Sequence, residues 1–307
     1  MKSSASTFLT ETRKAFTQVL AAQERRRLAK ELASVAEKVH RSVHERVKAG
    51  RVSPLEETKA EVATANSRLQ LKRAVNALEA ARVALAVLWG DTEARFERAQ
   101  GEIGVLAPIP ALDEIQHLIT RNPSVARWVA EIEQRRVAIT LAEAKRVPDI
   151  TLSAGVRQFI DTGDTAFVTG FSVPLPVFDR NDRGIQGSLY RFRQAQEEER
   201  VVEVKARTQL ERDHRILTTA HEEILTLRYE ILPAAERAFE AANEGYRHGK
   251  FSYLEVLDAQ RTLFETHLRY LGALTAYHIA AAELERLIGV GLAQLAPARD
   301  VKKGGDR

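Results

Sequence analysis

The chain has 307 residues, with 46 Lys and Arg against 42 Asp and Glu, a net charge of +4 and no cysteine. So small a charge over that length leaves no nucleic-acid footprint, and the missing cysteine excludes disulfides, thiolate metal sites, thiol catalysis and lipid attachment to an N-terminal cysteine. No run of 18 apolar residues occurs and residues 1–10 lack the apolar segment of a secretory signal, so neither a transmembrane helix nor a signal peptide is expected in this chain.

From about Thr7 to Lys48, Leu20, Leu28, Leu32, Val35, Val39 and Val43 recur at helical spacing. Gly50 suits a helix stop, because glycine accepts the left-handed conformation at a C-terminus. Ser53, Pro54 and Glu56 then read as a cap, a first-turn proline and the far half of a capping box. The return helix runs to about Trp89, with Val62, Leu69, Val75, Leu78 and Leu85 as its apolar positions, and Gly90 ends it.

The grammar then changes. Short pieces fill 91–110, a helix is expected over 111–121, and another runs from Ser124 to about Arg146, with Pro148 stopping it. Residues 149–160 alternate, with Ile150, Leu152, Ala154 and Val156 on one face and Thr151, Ser153, Gly155 and Arg157 on the other. After the polar turn 161–165 a second extended run places Phe167, Phe171, Val173 and Leu175 on one face, and Pro174 and Pro176 close it. Two such strands fit either a transmembrane β-hairpin or a soluble hairpin packed on helices.

The last long stretch repeats the first at a fixed offset of 199 residues. Gly50/Gly249, Ser53/Ser252, Leu55/Leu254, Glu56/Glu255 and Ala60/Ala259 are identical, and the register holds ungapped on both sides. An ungapped match implies two copies of one rigid helical hairpin, since an insertion would rotate the apolar stripe. In the second copy a helix from about Ile185 to His248 stops at Gly249, Ser252 caps with Glu255, and the return arm stops at Gly289. A helix of roughly 60 residues spans about 90 Å, which suits a coiled-coil arm or a tubular assembly.

Chemistry-bearing motifs are scarce. No phosphate loop, nucleophile elbow or metal-ligand signature appears, so no catalytic residue, cofactor or metal is assigned. His40 and His44 are four residues apart and would bind a metal only with a carboxylate beside them; a solvated face is the plainer reading. Glu255 and Asp258 share a helix face, whereas the first copy has Glu56 and Lys59 there. By itself the acidic pair reads as a capping residue and an exposed neighbour.

Residues 245–263, from Gly245-Tyr246 through Ser252, Glu255 and Asp258 to Leu263, resemble the periplasmic-tip signature of TolC-like outer-membrane efflux proteins. So does the segment 146–155, and residues 173–181 resemble the CzcC-like branch that handles heavy-metal cations. The resemblance covers residues 7–290. It implies a homotrimeric exit duct without catalysis, joined to a periplasmic adaptor and a proton-driven inner-membrane RND pump and seated in outer-membrane lipid. By motif match Tyr246, Glu255 and Asp258 fall at the pore constriction. The tips, Gly50, Arg51, Ser53 and Leu55 with Gly249, Lys250, Ser252 and Leu254, fall where the adaptor docks. The family carries two strand pairs. Residue 1 aligns with residue 200, so the first pair is expected upstream of Met1, and the chain reads as N-terminally truncated.

The expected fold is mainly α: two long antiparallel helical hairpins with one β-hairpin, a TolC-like protomer lacking its first strand pair. The expected division is a first hairpin at 1–90, an equatorial segment at 91–147, a strand pair at 148–178, a second hairpin at 179–290 and a disordered polar tail at 291–307. The implied function is the outer-membrane exit duct of a tripartite efflux system for heavy-metal cations. The alternatives are a duct for drugs or other small molecules, and a soluble coiled-coil scaffold.

Overall fold

The computed structural model describes residues 2–147, 149–161, 163–174 and 181–295, with side chains from Thr7 onward. The expected stop at Pro148, the strand end at Leu175 and Pro176, and the tail beyond 295 lie outside the described residues. The chain forms two compact units, Met1–Asn122 with Arg207–Arg307, and Pro123–Ala206.

The larger unit is built from the two hairpins. Helix α1 (Lys2–Lys48) turns into α2 (Pro54–Val87). After an irregular stretch, α3 (Leu112–Gln116) runs into a 3-10 turn at His117–Arg121. Helix α5 (Asp182–Thr226) enters this unit in its second half and passes through a π turn at Leu227–Ile231 into α6 (Leu232–Arg247). Helix α7 (Tyr253–Ile288) returns, and α8 (Leu292–Leu295) follows. Helix α1 packs on both α2 and α7, and α7 packs on α6. The hairpins therefore lie side by side, as the repeat predicts.

On α2 the buried residues are Ala60, Thr64, Ser67, Ala74, Leu78, Leu85 and Ala86; all but the last follow coiled-coil spacing, in a seam made largely of small side chains. Thr64 Oγ1 even reaches the Ala36 carbonyl of α1 at 3.3 Å. This corrects the expected stripe: Leu78 and Leu85 are buried, but Val62, Leu69 and Val75 are exposed. Small residues let α1 and α2 approach closely and leave the larger apolar side chains on a second face.

The two turns share one backbone design. Gly50 and Gly249 have φ of 67° and 71°, where a side chain would be strained. Arg51 N–H bonds the Arg46 carbonyl at 2.9 Å, and Lys250 N–H bonds the Gly245 carbonyl at 2.8 Å. These are matching six-to-one bonds that satisfy the helix ends. The irregular stretch after α2 is tied down by side chains: Gln23 exchanges two bonds with the Ala99 backbone, and Tyr277, His278 and His214 reach the carbonyls of Ala107, Ile103 and Pro110.

The expected disorder from 291 is corrected for its first residues. Leu292 is fully buried, and its N–H donates to Glu285 Oε1 at 2.9 Å. Apolar burial plus one backbone bond is enough to fold the chain back after Gly289.

The smaller unit holds α4 (Pro123–Ala144), the start of α5 and an antiparallel pair, β1 (Thr151–Gln158) with β2 (Thr165–Ser172). The register pairs Leu152 with Phe171 and Val156 with Phe167, so four large apolar side chains share one face. The other face carries Thr151, Ser153, Gly155 and Arg157. All four apolar side chains are open, Leu152 and Phe171 at 80% exposure each. At the base of the hairpin Arg146 pairs with Asp182 at 2.6 Å, and Asn181, at φ 57°, donates to the Ala142 carbonyl at 2.8 Å.

Candidate functional site

The tip end of the larger unit brings both hairpins to one cluster. Val43, Ala60, Ala242, Tyr246, Tyr253 and Val256 are buried together there, one or two from each of α1, α2, α6 and α7. Their positions follow from the caps. Each turn fixes where the return helix starts, so residues three to ten positions either side of the turn glycine meet across the seam.

Tyr246 lies within this cluster. Its ring sits 5.8 Å from that of Tyr253, and the Arg46 guanidinium lies 4.3 Å from its centroid. Its hydroxyl donates to Glu56 Oε2 at 3.4 Å, and its carbonyl accepts from Arg46 Nη1 at 2.8 Å. Arg46 and Glu56 belong to the first hairpin, so Tyr246 is a tie between the two copies. Burial raises its pKa; Arg46 opposes that shift and Glu56 adds to it. Burial, reinforced by Tyr246 and Glu56, pushes Tyr253 up to about 12.

The capping box expected at Ser53 does not close. Ser53 Oγ accepts from Leu55 N–H at 3.2 Å, but the Glu56 carboxylate is engaged by Tyr246 instead. At the second tip the carboxylate does bind its cap. Glu255 Oε2 accepts from Ser252 N–H at 2.6 Å and from Ser252 Oγ at 3.1 Å. Glu255 and Asp258 are both exposed at the start of α7. The three residues singled out at the mouth thus divide in two: Tyr246 faces the inter-hairpin seam, and the acidic pair faces outward.

The remaining tip residues are open. Leu55 and Leu254, matched by the repeat, are each 60% exposed, and Arg51 and Lys250 are exposed beside them. Phe251 packs so closely on Gly245 that a β-carbon there would meet its ring at 2.1 Å. His44 does have a carboxylate beside it, Glu57 at 2.5 Å, across the α1–α2 turn. Among the described residues no group of three or more His, Asp or Glu is disposed to hold a metal ion, and no helix is long and apolar enough to cross a membrane.

Arg46 and Tyr253 escaped sequence reasoning, and Glu56 reads there only as a capping residue, not as the partner of Tyr246. Their signal was symmetry about the turns: Tyr246 and Tyr253 flank the second tip, and Arg46 and Glu56 flank the first. A second signal was charge by copy. Residues 1–90 hold 17 Lys and Arg against 9 Asp and Glu, whereas residues 179–290 hold 16 against 19, an asymmetry that the whole-chain value conceals.

Three comparisons bear on the fold and site. The family model described as "Outer membrane efflux protein" matches residues 1–91 and 115–290. The cobalt-zinc-cadmium resistance protein CzcC of Cupriavidus metallidurans is 37% identical over 274 residues, covering 89% of this chain and 66% of that protein. The pyoverdine export outer membrane protein OpmQ of Pseudomonas aeruginosa is 27% identical over 266 residues, covering 84% and 56%. The chain thus spans less than two thirds of the length of these relatives. The solved structure of CusC superposes with a TM-score of 0.81 at 19% identity, covering 94% of this chain and 70% of CusC, a likeness of fold.

Proposed function

The chain belongs to the outer membrane efflux protein family, and we propose that it forms the wall of an outer-membrane exit duct for heavy-metal cations. Its location is the outer membrane, and its family and fold are those of channels rather than enzymes. The observation that carries the substrate class is the 37% identity to a cobalt-zinc-cadmium resistance protein along most of the chain. The charge asymmetry agrees with it. A duct whose inner wall is the second hairpin presents net negative charge to its cargo, which concentrates cations near the wall.

Three copies of the chain surround the pore in this reading. Glu255 and Asp258 of each copy line the mouth, and close carboxylates there attract cations and repel anions. Tyr246 holds the second hairpin to the first through Glu56 and Arg46, so breaking that tie frees the mouth to widen. The exposed leucine and cation at each tip, Leu55 with Arg51 and Leu254 with Lys250, form the surface for a periplasmic adaptor that joins the duct to an inner-membrane RND pump. The apolar face of Leu152, Val156, Phe167 and Phe171 meets outer-membrane lipid. Backbone at that depth must be paired, so both edges of the hairpin are covered by other strands of the barrel.

The test is metal tolerance. Loss of the gene is expected to sensitise cells to Co2+, Zn2+ and Cd2+, and Glu255→Ala with Asp258→Ala in the complementing copy is expected to restore tolerance only partly. Full tolerance without the gene, combined with impaired siderophore or drug export, would instead assign the small-molecule duct.

A further inference from the structure

Helices α5 and α6 form one rod interrupted by a single π turn at Leu227–Ile231. Buried positions along the α5 side are Leu210, Asp213, Leu217, Ala220, Ile224 and Leu227, three or four residues apart as an α-helix requires. The next is Leu232, five residues on. After it the stripe resumes its normal spacing through Ala235, Phe239, Ala242 and Tyr246. The seam therefore contains one surplus residue, and the π turn sits on it.

Pro233 explains why the surplus is held there. It has no N–H for the Tyr229 carbonyl, and its ring crowds that carbonyl. The ladder shifts by one, with Leu232 N–H donating to the Leu227 carbonyl. The first copy is an internal control. At the 199-residue offset Pro233 corresponds to Ser34, and α1 runs without interruption from Lys2 to Lys48. Helix α7, alongside the turn, is also continuous. The turn has space beside it: Arg228 borders a cavity of about 620 Å³ shared with Gln23 of α1, Gly101 and Tyr270 of α7.

We propose that this π turn is a hinge that sets the rotational register of α6 and lets the second tip move against the first hairpin. An uninterrupted α-helical ladder through the same residues would rotate everything beyond by about 100°, carrying Tyr246 away from Glu56 and Arg46. The turn thus decides which face of α6 meets the seam. Single π turns recur at functional positions in helices, and they are points where rods bend. The hinge is a property of the chain; its use in opening a mouth rests on the duct reading.

The test removes the surplus. Deleting Tyr229, which is exposed, together with Pro233→Ser brings Leu227 and Leu232 to four residues apart and restores a plain helix. In the full unmodified chain, amide exchange over 227–236 is expected to be at least about tenfold faster than over the matched residues 28–37, and the variant is expected to abolish that difference. Spin labels at Lys59 and Lys250 are expected to give a broad distance distribution in the unmodified chain and a single narrow one in the variant. Pro233→Ser alone leaves the surplus in place and is expected to keep fast exchange. Equal exchange in the two copies of the unmodified chain, an unchanged label distribution, or slowing by Pro233→Ser alone would overturn the hinge. None of these readouts requires conduction, so a failure of the duct reading would show separately, in metal tolerance.

Discussion

At the first tip Glu56 leaves its own helix start and reaches Tyr246 of the other hairpin, whereas at the second tip Glu255 stays on Ser252. The backbones are matched down to the left-handed glycine and the six-to-one bond. Chemistry has diverged on a preserved turn. A capping carboxylate and a hydrogen bond to a buried hydroxyl are each worth about 1 kcal/mol, so local and distant partners compete on nearly equal terms. The first tip gave up half a cap and gained a tie to its copy. The second kept its cap, placed tyrosines on the seam, and left two carboxylates facing out. A turn duplicated as structure can therefore serve as the anchor in one copy and the working face in the other.

The largest test of this contrast is steric. Tyr253 is buried in the tip cluster, while Pro54, its counterpart by the repeat, is exposed. Tyr253→Ala is expected to cost about 3 kcal/mol in denaturant unfolding of the chain, and Pro54→Ala less than about 0.5 kcal/mol. Equal losses would mean that the two tips contribute alike to the seam.

Alkali should act next. Both tyrosine hydroxyls sit in the seam, where burial favours the neutral form, so folded Tyr253 titrates near 12 and Tyr246 above its ordinary value. Unfolded tyrosine ionises near about 10. The folded chain then binds protons that the unfolded chain has released, so stability is full below pH 10 and falls as pH rises through 12. Tyr246→Phe with Tyr253→Phe is expected to flatten that fall in unfolding curves recorded across this range. A fall of unchanged size in the double variant would place its origin outside the second tip.

The smallest effect separates the two glutamates. Glu255→Ala should cost about 1 kcal/mol and speed amide exchange at Ser252, which loses its acceptor. Glu56→Ala should leave exchange at Ser53 unchanged, because that amide is not what Glu56 binds. Acceleration at Ser53 would show that the first box does close in solution.

The turns were legible because their signals are local: Gly50 and Gly249 supply the left-handed residue, Ser53 and Ser252 the caps. The repeat then gave the side-by-side hairpins. Three features escaped, each because a distant contact overrode a local rule. The helix expected to run unbroken from Ile185 to His248 contains a π turn, because Pro233 and a surplus seam residue coincide. The stripe through Val62, Leu69 and Val75 faces outward, because the face of α2 turned to α1 is built mostly from small residues, with Leu78 and Leu85 as its large ones. The box at Ser53 stays open because its glutamate finds a partner 190 residues away. At the mouth the residue types were legible, but not the burial of Tyr246 apart from the exposed acids.

Helix α1 belongs to two pairings of very different range. Its contact with α2 closes over a short turn, but its contacts with the second hairpin join residues such as Arg46 and Tyr246 of α6, 200 apart in the chain. Loop closure makes the first pairing fast and the second slow. At roughly 5–20 residues per second of synthesis, a completed first hairpin waits about 10–40 seconds for its second partner to exist. During that interval the side of α1 that α7 will cover, with Val43 on it, is open to any other apolar surface. Newly made chains are therefore most vulnerable to wrong association between the synthesis of the first hairpin and that of the second, and a holdase that shields α1 over that interval would raise the yield of the folded wall.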